Sequence, residues 1–438
     1  MVTEVRRQLV IISLLTLLSQ LAAFFKLWFT ARYFGVGSEL DGYNLALVAP
    51  VLISGIVSGV IQTGFFPVRS RVFSLFGLSV AEAFERAVLW GGVLLGIILA
   101  VLIFASTPWL ADWLTKQGQP SVRAAFLFVL SFVALLVPLN IACDCAGYVL
   151  AMRERFAYAA GAPIANGLLG GGVLFLMPDA GLFSLVLGTL IGLLVQLVIC
   201  LYGLRKSGFS IFGALPIWKN LSTQGYDMLT LGGWVLPGVF FSNVSSSLPL
   251  VWASSYGEGI VSSFGYAYRL HTSLMQLLIM SSSTLLLARF SRLIAEGDDT
   301  GVKKLLGSAV LVSTVIGVLG PLLVWLIGEP ILLVLFGGRF DSDAAYSVNR
   351  FWFWLTTGVG FTLLSNIFAK LCQAQSRAKF MTFMAASNLI SMFLCYFAFR
   401  GVLGERAIGL AISVAPAVVV LFCFRSLMSP PTTMRAQV

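Results

Sequence analysis

The chain has 438 residues, of which 58% are apolar and only 11% are charged, and its net charge is +10. Because soluble domains carry about 25% charged residues, this composition excludes an ordinary soluble protein and indicates a polytopic membrane protein. In such a protein an excess of Lys and Arg is typical of the cytoplasmic loops, so the positive net charge does not indicate a nucleic-acid partner, and we expect none. The six cysteines form no CxxC pair and there is one histidine, so the sequence predicts neither a metal site nor a cofactor.

Twelve apolar runs are long enough to cross a bilayer, since a spanning helix needs about 20 residues. In chain order we predict spans over residues 8–30, 42–66, 87–106, 125–150, 157–177, 181–203, 228–253, 260–288, 306–328, 351–373, 380–399 and 407–427. The intervening loops are short, and the chain contains no G-x-x-x-x-G-K-[ST], G-x-S-x-G or H-E-x-x-H motif. We therefore expect a transporter rather than an enzyme.

The distribution of Lys and Arg predicts the orientation of these spans. With a cytoplasmic N-terminus, nineteen Lys and Arg residues lie on the cytoplasmic side and seven on the outer side, while Lys26 and Arg269 fall inside spans. Because cytoplasmic loops carry the excess of these residues, we expect a multi-pass protein of the cytoplasmic (inner) membrane with both termini in the cytoplasm.

The sequence contains an internal repeat. The stretch "ARYFGVGSELDGYNLA" over residues 31–46 is similar to "ASSYGEGIVSSFGYA" over residues 253–267. Matched residues throughout the chain are 221 to 224 positions apart and include Gly35 with Gly257, Gly42 with Gly265, Arg153 with Arg377 and Asn166 with Asn388.

This repeat predicts the fold class. Each half holds six spans, an even number, so both halves enter the bilayer in the same direction. We therefore predict an all-α membrane protein whose twelve helices form two parallel six-helix lobes around a central cavity. The lobes comprise residues 1–203 and 227–438, and a cytoplasmic linker over 204–226 joins them.

Two cations inside the spans are candidates for lining the cavity, because a charge at mid-bilayer costs about 2.5–3.5 kcal/mol. Lys26, in "FFKLWFTAR", either faces the cavity or snorkels to the outer headgroups. Arg269, in "YAYRLHTSL", cannot lose its proton and needs an anion, carbonyl groups or water nearby. His271 lies two residues further on, does not share the helix face of Arg269, and is interpreted as structural.

Two other polar residues interrupt apolar spans. Asp144, in "NIACDCAGY", is a candidate proton or cation site, or an acid that pairs locally. Gln20, in "LLSQLAAF", is a candidate cavity residue, or a group that forms hydrogen bonds between helices.

Several stretches resemble the lipid II flippase family (MurJ, also called MviN) of the multidrug/oligosaccharidyl-lipid/polysaccharide (MOP) exporter superfamily. They are "TLLSQLAAFFKLWFTARYFGVGSELDGYNLALVAP", "SSFGYAYRLHTSL…ARFSRLIAEGD", "GEPILLVLFGGRF" and "AKLCQAQSRAKF". The resemblance implies a cationic cavity that binds the pyrophosphate of a lipid-linked glycan, and Lys26 and Arg269 stand at two of its basic positions.

The chain also departs from the pattern that the resemblance implies. Gln20 stands where an arginine is expected, and Leu27 and Tyr268 stand where acids are expected beside Lys26 and Arg269. The family usually has two further C-terminal spans, whereas twelve are predicted here. Because fewer anion-binding groups remain, an exopolysaccharide or O-antigen repeat unit becomes a cargo at least as suitable as lipid II.

We therefore expect a flippase that moves a polyprenyl-pyrophosphate-linked glycan from the inner to the outer leaflet. Its expected partners are this glycan lipid, membrane lipid, and a glycan polymerase or glycosyltransferases. The main competing function is that of a cation-coupled small-molecule (multidrug-type) exporter of the same superfamily, for which Asp144 is the coupling candidate. Two less favoured functions are an integral-membrane glycan polymerase or ligase, which would need larger outer loops, and a non-transporting scaffold of a glycan-assembly complex.

Overall fold

The computed structural model describes residues 2–115, 119–213, 223–228, 230, 233, 235–375 and 377–427, and these ranges contain helices, turns and loops but no β-strand. The helices are α1 (Val2–Phe34), α2 (Ser38–Phe76), α3 (Leu78–Ala105), α4 (Thr107–Leu114), α5 (Pro120–Val133), α6 (Leu136–Met152), α7 (Phe156–Leu176), α8 (Leu182–Lys206), α9 (Val235–Ala253), α10 (Ile260–Ala295), α11 (Asp299–Phe336), α12 (Ser342–Thr356), α13 (Val359–Ala374), α14 (Ala378–Leu403) and α15 (Arg406–Leu427). The predicted all-α class is confirmed.

Among the described residues, nine helices are long and apolar enough to cross a membrane, and two bent helix pairs bring the number to eleven. Each of the twelve predicted spans overlaps a helix or a bent pair. The span predicted over 260–288 lies on α10, which is not among the eleven and has side chains outside the described part of the chain.

Helix breaks occur within two of the predicted spans. Helices α5 and α6 meet at 44°, and α12 and α13 meet at 43°. At the first break, Pro138 follows in α6 and has no N–H to bond the carbonyl of Ala134. At the second break, Thr356 and Thr357 donate their hydroxyls to the carbonyls of Phe353 and Trp354 at 2.8 and 2.7 Å. The Trp354 carbonyl thereby gains a partner beside the break, whereas the Phe353 carbonyl also accepts the backbone N–H of Thr357 at 3.2 Å.

The helix boundaries reproduce the sequence repeat. Six helices of the first half begin 221 to 224 residues before a counterpart in the second half. The corresponding first residues are Ser38 and Ile260, Leu78 and Asp299, Pro120 and Ser342, Leu136 and Val359, Phe156 and Ala378, and Leu182 and Arg406. Even the two bent pairs correspond, which a repeat of the whole six-helix unit explains.

The chain divides into two compact units. The first comprises residues 1–266 and 330–348, and α1, α7 and α8 pack together within it. The second comprises 267–329 and 349–438, and one of its core clusters surrounds Phe368 and Cys372. These units follow contacts rather than repeat boundaries, and the two predicted six-helix lobes stay a prediction. Residues 214–222 of the predicted linker lie outside the described residues.

A buried ion cluster holds together α2, α3 and the end of α6. The side chain of Glu85 is fully buried, and its carboxylate accepts hydrogen bonds from Arg69 Nε and Arg153 Nη2, each at 2.8 Å. Arg153 Nη2 also lies 2.9 Å from Glu82. Although burial works against the charge of Arg153, its hydrogen bonds with Glu85 and Glu82 and their negative charges raise its pKa overall. Both oxygens of the buried carboxylate are therefore paired, as a buried charge requires.

The same cluster anchors the start of the predicted linker. Arg153 Nη1 donates to the carbonyl of Ser207, and its guanidinium lies 4.7 Å from the ring centroid of Phe209. On α3, Trp90 donates its indole N–H to the carbonyl of Ile211 at 3.1 Å. The described beginning of the linker is thus fixed to the first unit.

Replacing Glu85 tests the cluster. We expect Glu85→Gln to lower the free energy of unfolding by about 3–5 kcal/mol, because the substitution leaves buried guanidinium charges underpaired. Thermal and denaturant unfolding of the detergent-purified protein measures the effect. Glu82→Gln is the matched control and should cost about 1 kcal/mol, since Glu82 is partly exposed and Glu85 still pairs with Arg153. Equal losses in the two variants would contradict this account of the cluster.

Candidate functional site

Lys26 is held inside the first unit. Its ammonium donates a hydrogen bond to Thr189 Oγ1 of α8 at 2.7 Å, and Thr189 Oγ1 lies 2.8 Å from the hydroxyl of Tyr43 on α2. The Thr189 hydroxyl also bonds the carbonyl of Leu185, which fixes its rotamer. Three helices thus set the position of one ammonium group within a span.

A glycine on α7 makes room for the Lys26 side chain. A Cβ atom at Gly170 would lie 2.7 Å from Cδ of Lys26, closer than real Cβ contacts allow. Close approach of this kind is typical of small residues between membrane helices. The Lys26 stem therefore runs along α7 toward α8 and remains half-buried, whereas the neighbouring Leu27 is buried.

The other predicted site residues lie at separate places. Gln20 is half-buried on α1, one and a half turns before Lys26. Asp144 is half-buried on α6 and has no ion-pair partner among the described residues. One turn later, Tyr148 donates to the carbonyl of Ser58 at 3.1 Å and ties α6 to α2.

Arg269 belongs to the second unit, whereas Lys26 belongs to the first. It is half-buried about two and a half turns into α10, and its carbonyl accepts a hydrogen bond from the Thr272 hydroxyl. His271 is buried, and its Nδ1 has no hydrogen-bond partner among the described residues, so its interpretation as structural stays a prediction. The roles proposed for Gln20, Lys26, Asp144 and Arg269 stay predictions.

Sequence reasoning missed the role of Asp41. This residue of α2 is only 1% exposed, and its carboxylate accepts hydrogen bonds from the backbone N–H groups of Gly259 and Ser262, both at 2.6 Å. These donors lie at the start of α10, where backbone N–H groups lack partners within the helix. Asp41 therefore caps a helix 218 residues away, and its negative charge is favourable at that helix end.

The two repeat-related stretches meet around this cap, and we call residues 32–41, 257–266 and 335–340 together the Asp41 clasp. Tyr266 donates its hydroxyl to the carbonyl of Gly35 at 3.0 Å, and the N–H of Arg339 bonds the carbonyl of Arg32 at 3.0 Å. Gly35 has φ +59°, and added side-chain atoms would overlap the backbone of Arg339. Gly35, one of the glycines that mark the repeat, is therefore required for this close contact.

A cavity of about 680 Å³ opens beside the clasp. Its charged lining consists of Arg32 and Arg339 together with Glu39 and Asp179. Because this lining holds two cations and two acids, the cavity differs from the cationic pocket that the sequence predicts.

Solved structures share this fold. One described as lipid II flippase MurJ in an inward closed conformation matches with a TM-score of 0.80 and 19% identity, over 96% of this chain and 88% of that chain. An inward-facing multidrug resistance MATE family transporter of the MOP superfamily matches with a TM-score of 0.74 and 14% identity, over 95% of this chain and 94% of that chain. The protein is therefore an α-helical, multi-pass membrane protein with the fold of MOP-superfamily transporters.

The sequence identifies the family. Residues 30–433 match the family profile described as lipid II flippase MurJ, and the chain belongs to this family. The lipid II flippase MurJ of Burkholderia cenocepacia is 24% identical over 96% of this chain and 83% of that protein. The resemblance found in the sequence is confirmed, and the family is one of flippases rather than enzymes.

Removing the Asp41 carboxylate should loosen the start of α10. We expect Asp41→Ala to destabilise this end by about 1–2 kcal/mol, the cost of losing a helix cap, and to speed amide exchange over 259–266 by roughly 5- to 30-fold. Hydrogen–deuterium exchange with mass spectrometry measures this change. The matched control is Glu39→Ala, an exposed acid two residues before Asp41, which should leave exchange there unchanged. Unaltered exchange in Asp41→Ala would contradict the capping role.

Proposed function

We propose that the protein flips a polyprenyl-pyrophosphate-linked glycan from the cytoplasmic to the outer leaflet of the inner membrane. The observation that carries this proposal is the family match over residues 30–433, together with the fold shared with transporters. The cargo class is lipid II or an exopolysaccharide or O-antigen repeat unit. Glycosyltransferases would assemble this cargo on one side of the membrane, and a glycan polymerase would use it on the other. Both are therefore proposed partners of the protein.

The physical task is to move a pyrophosphate and a hydrated sugar past hydrocarbon. Ionised groups and unpaired hydroxyls are costly in an apolar medium, so the head group needs polar partners along its path while the polyprenyl tail can stay in lipid. Lys26 supplies one positive charge on the first unit, and Arg269 supplies one on the second. In this proposal each cation binds the pyrophosphate from its own predicted lobe.

The surroundings of Lys26 support its role. Thr189 and Tyr43 fix the ammonium in one place, so little side-chain freedom is lost when a phosphate binds.

The departures at Gln20, Leu27 and Tyr268 leave fewer charges than the family pattern implies, which favours a cargo held by fewer ionic contacts than lipid II.

The Asp41 clasp fits a gate on the outer side. With both termini in the cytoplasm, as the charge distribution predicts, the clasp lies at the outer ends of the spans. Release of a head group to the outer leaflet then requires the hydrogen bonds of Asp41 to Gly259 and Ser262 to break. Breaking a few hydrogen bonds of this kind costs little enough free energy that thermal motion and cargo binding can open the gate.

Reconstituted protein tests the roles of the two cations. We expect Lys26→Gln and Arg269→Gln each to lower the initial rate of flipping of a fluorescent polyprenyl-pyrophosphate glycan by about 10- to 100-fold, because a hydrogen bond to a charged group contributes about 1.5–3 kcal/mol. Quenching of the label by a membrane-impermeant reductant in proteoliposomes measures the rate. Comparing lipid II with a polysaccharide repeat unit under the same conditions identifies the cargo.

Arg123→Gln provides the control for these rates. Arg123 is an exposed arginine that pairs with Asp112 on the first unit, so its loss should leave flipping unchanged. Native rates in both Lys26→Gln and Arg269→Gln would refute the assignment of the two cations, and absence of flipping by the native protein would refute the function itself.

A cation-coupled exporter is the second candidate. Two observations favour it: Asp144 lies in a span without an ion-pair partner among the described residues, and the fold matches a MATE family transporter with a TM-score of 0.74. A carboxylate in a span is a common site for protons or cations in transporters.

Neutralising Asp144 separates the two candidates. For a flippase that does not use this acid, Asp144→Asn should keep the native flipping rate at every imposed proton or sodium gradient. For a coupled exporter, the same variant should lose the dependence of transport on the gradient. Asp179→Asn, an exposed acid of the first unit, is the control.

A further inference from the structure

A second cavity, with a mainly basic charged lining, lies between two helices of the second unit. It has a volume of about 410 Å³ and opens at the turn between α10 and α11. Its lining residues come from the last turns of α10 and the first turns of α11: Arg289, Arg292, Leu293, Glu296, Gly301, Lys304, Leu305 and Ser308. The lining thus combines three cations and one acid with two leucines and a hydroxyl.

The charges of this cavity are not balanced. Arg292 pairs with Glu296, Nε to Oε1, at 2.8 Å. Neither Arg289 nor Lys304 has an ion-pair partner in the part of the chain that the structure describes. The cavity therefore carries a net positive charge, unlike the cavity beside the Asp41 clasp, where acids match the cations.

The turn that joins the two helices is well defined. Gly297 adopts φ +71°, and Asp298 accepts a hydrogen bond from the N–H of Gly301 at 2.8 Å. This bond caps the start of α11 and fixes the turn that joins the two helices. The backbone that carries the basic side chains is therefore preorganised.

An apolar stripe continues from the cavity along α11. Lys304 and Ser308 are followed on the same helix face, at alternating spacings of three and four residues, by exposed apolar side chains. These are Leu311, Val315, Val318 and Leu322, which are 66%, 47%, 62% and 44% exposed. The helix α11 is one of the candidate membrane spans, so this stripe is available to hydrocarbon chains.

We propose that this cavity binds the phosphate of a lipid headgroup, with the hydrocarbon chain of that lipid along the α11 stripe. Arg289 and Lys304 bind the phosphate oxygens, while Ser308, whose hydroxyl donates to the carbonyl of Lys304 at 3.1 Å, lines the cavity. Basic pockets between membrane helices on the cytoplasmic side bind anionic headgroups, and the charge distribution of the chain predicts this side for the α10–α11 turn. The site does not rest on the proposed flippase activity, because it lies within one helical hairpin.

Two lipid classes carry the required phosphate: anionic phospholipids and polyprenyl pyrophosphates. Native mass spectrometry of the detergent-purified full chain can titrate each of them separately, with phosphatidylglycerol, phosphatidylcholine and a polyprenyl pyrophosphate as probes. We expect Arg289→Gln/Lys304→Gln to weaken phosphatidylglycerol binding by roughly 30-fold, and phosphatidylcholine, which is zwitterionic, to bind weakly to both proteins. A loss confined to the polyprenyl pyrophosphate would assign the site to that lipid class and also support the proposal.

Two variants control for charge and for folding. Lys303→Gln removes an adjacent exposed lysine that does not line the cavity, and should change affinity less than threefold. Arg289→Lys/Lys304→Arg keeps both charges and should bind almost as the native protein does, which shows that the helix hairpin still folds. Equal losses in Lys303→Gln and Arg289→Gln/Lys304→Gln, or no loss with any probe, would overturn the proposal.

Discussion

A polar group placed in an apolar chain needs a partner, and this requirement determines the structure. Within a membrane, unpaired backbone and charged groups cost several kcal/mol, so helices form and their ends and breaks recruit side chains. Asp41 accepts hydrogen bonds from N–H groups at the start of α10, and hydroxyls of Thr356 and Thr357 bond carbonyls at the α12–α13 break. The buried Glu85 pairs with the guanidinium groups of Arg69 and Arg153. The few polar residues of this apolar sequence therefore form contacts that join segments distant along the chain.

The sequence predicted those parts of the fold that depend on local pattern. Hydropathy located the helices, and the matched glycines located the repeat, because both signals are read from neighbouring residues or from a constant offset. The contacts of Asp41 with Ser262, of Lys26 with Thr189 and of Arg153 with Glu85 escaped prediction, because their partners are 221, 163 and 68 residues away. An acid that interrupts an apolar run at the start of a span, opposite a glycine-rich repeat partner, is the signal that could have identified Asp41. The breaks within two spans left no mark in hydropathy, since both segments of each pair are apolar.

For the candidate site, the sequence predicted the residues but not their surroundings. Residue type was enough to select Lys26, Arg269 and Asp144, because charges inside spans are rare. Their surroundings were not predictable, because they depend on which small residue faces which long one. Gly170 admits the Lys26 stem, and Thr189 and Tyr43 then determine where the ammonium lies. A snorkelling lysine and a lysine held by hydroxyls have the same sequence, and only the packing of α1 against α7 and α8 distinguishes them.

The repeat gives the two halves a common frame of corresponding helices, and the polar side chains on this frame differ between the halves. At the offset of 223 residues that relates Tyr43 to Tyr266, Arg269 corresponds to Ala46, which is fully buried in the first unit. The two tyrosines have themselves diverged, since Tyr43 contacts Thr189 within its own half while Tyr266 bonds Gly35 of the other half. At the offset of 224 residues between the starts of α8 and α15, Thr189 corresponds to Ser413, whose hydroxyl bonds the carbonyl of Trp354 instead of a charged group. Equivalent hydroxyls thus position a cation in one half and pair the backbone of a bent helix in the other. Because the duplicated frame carries its charges at non-equivalent places, the two halves differ in their polar contacts although their helices correspond.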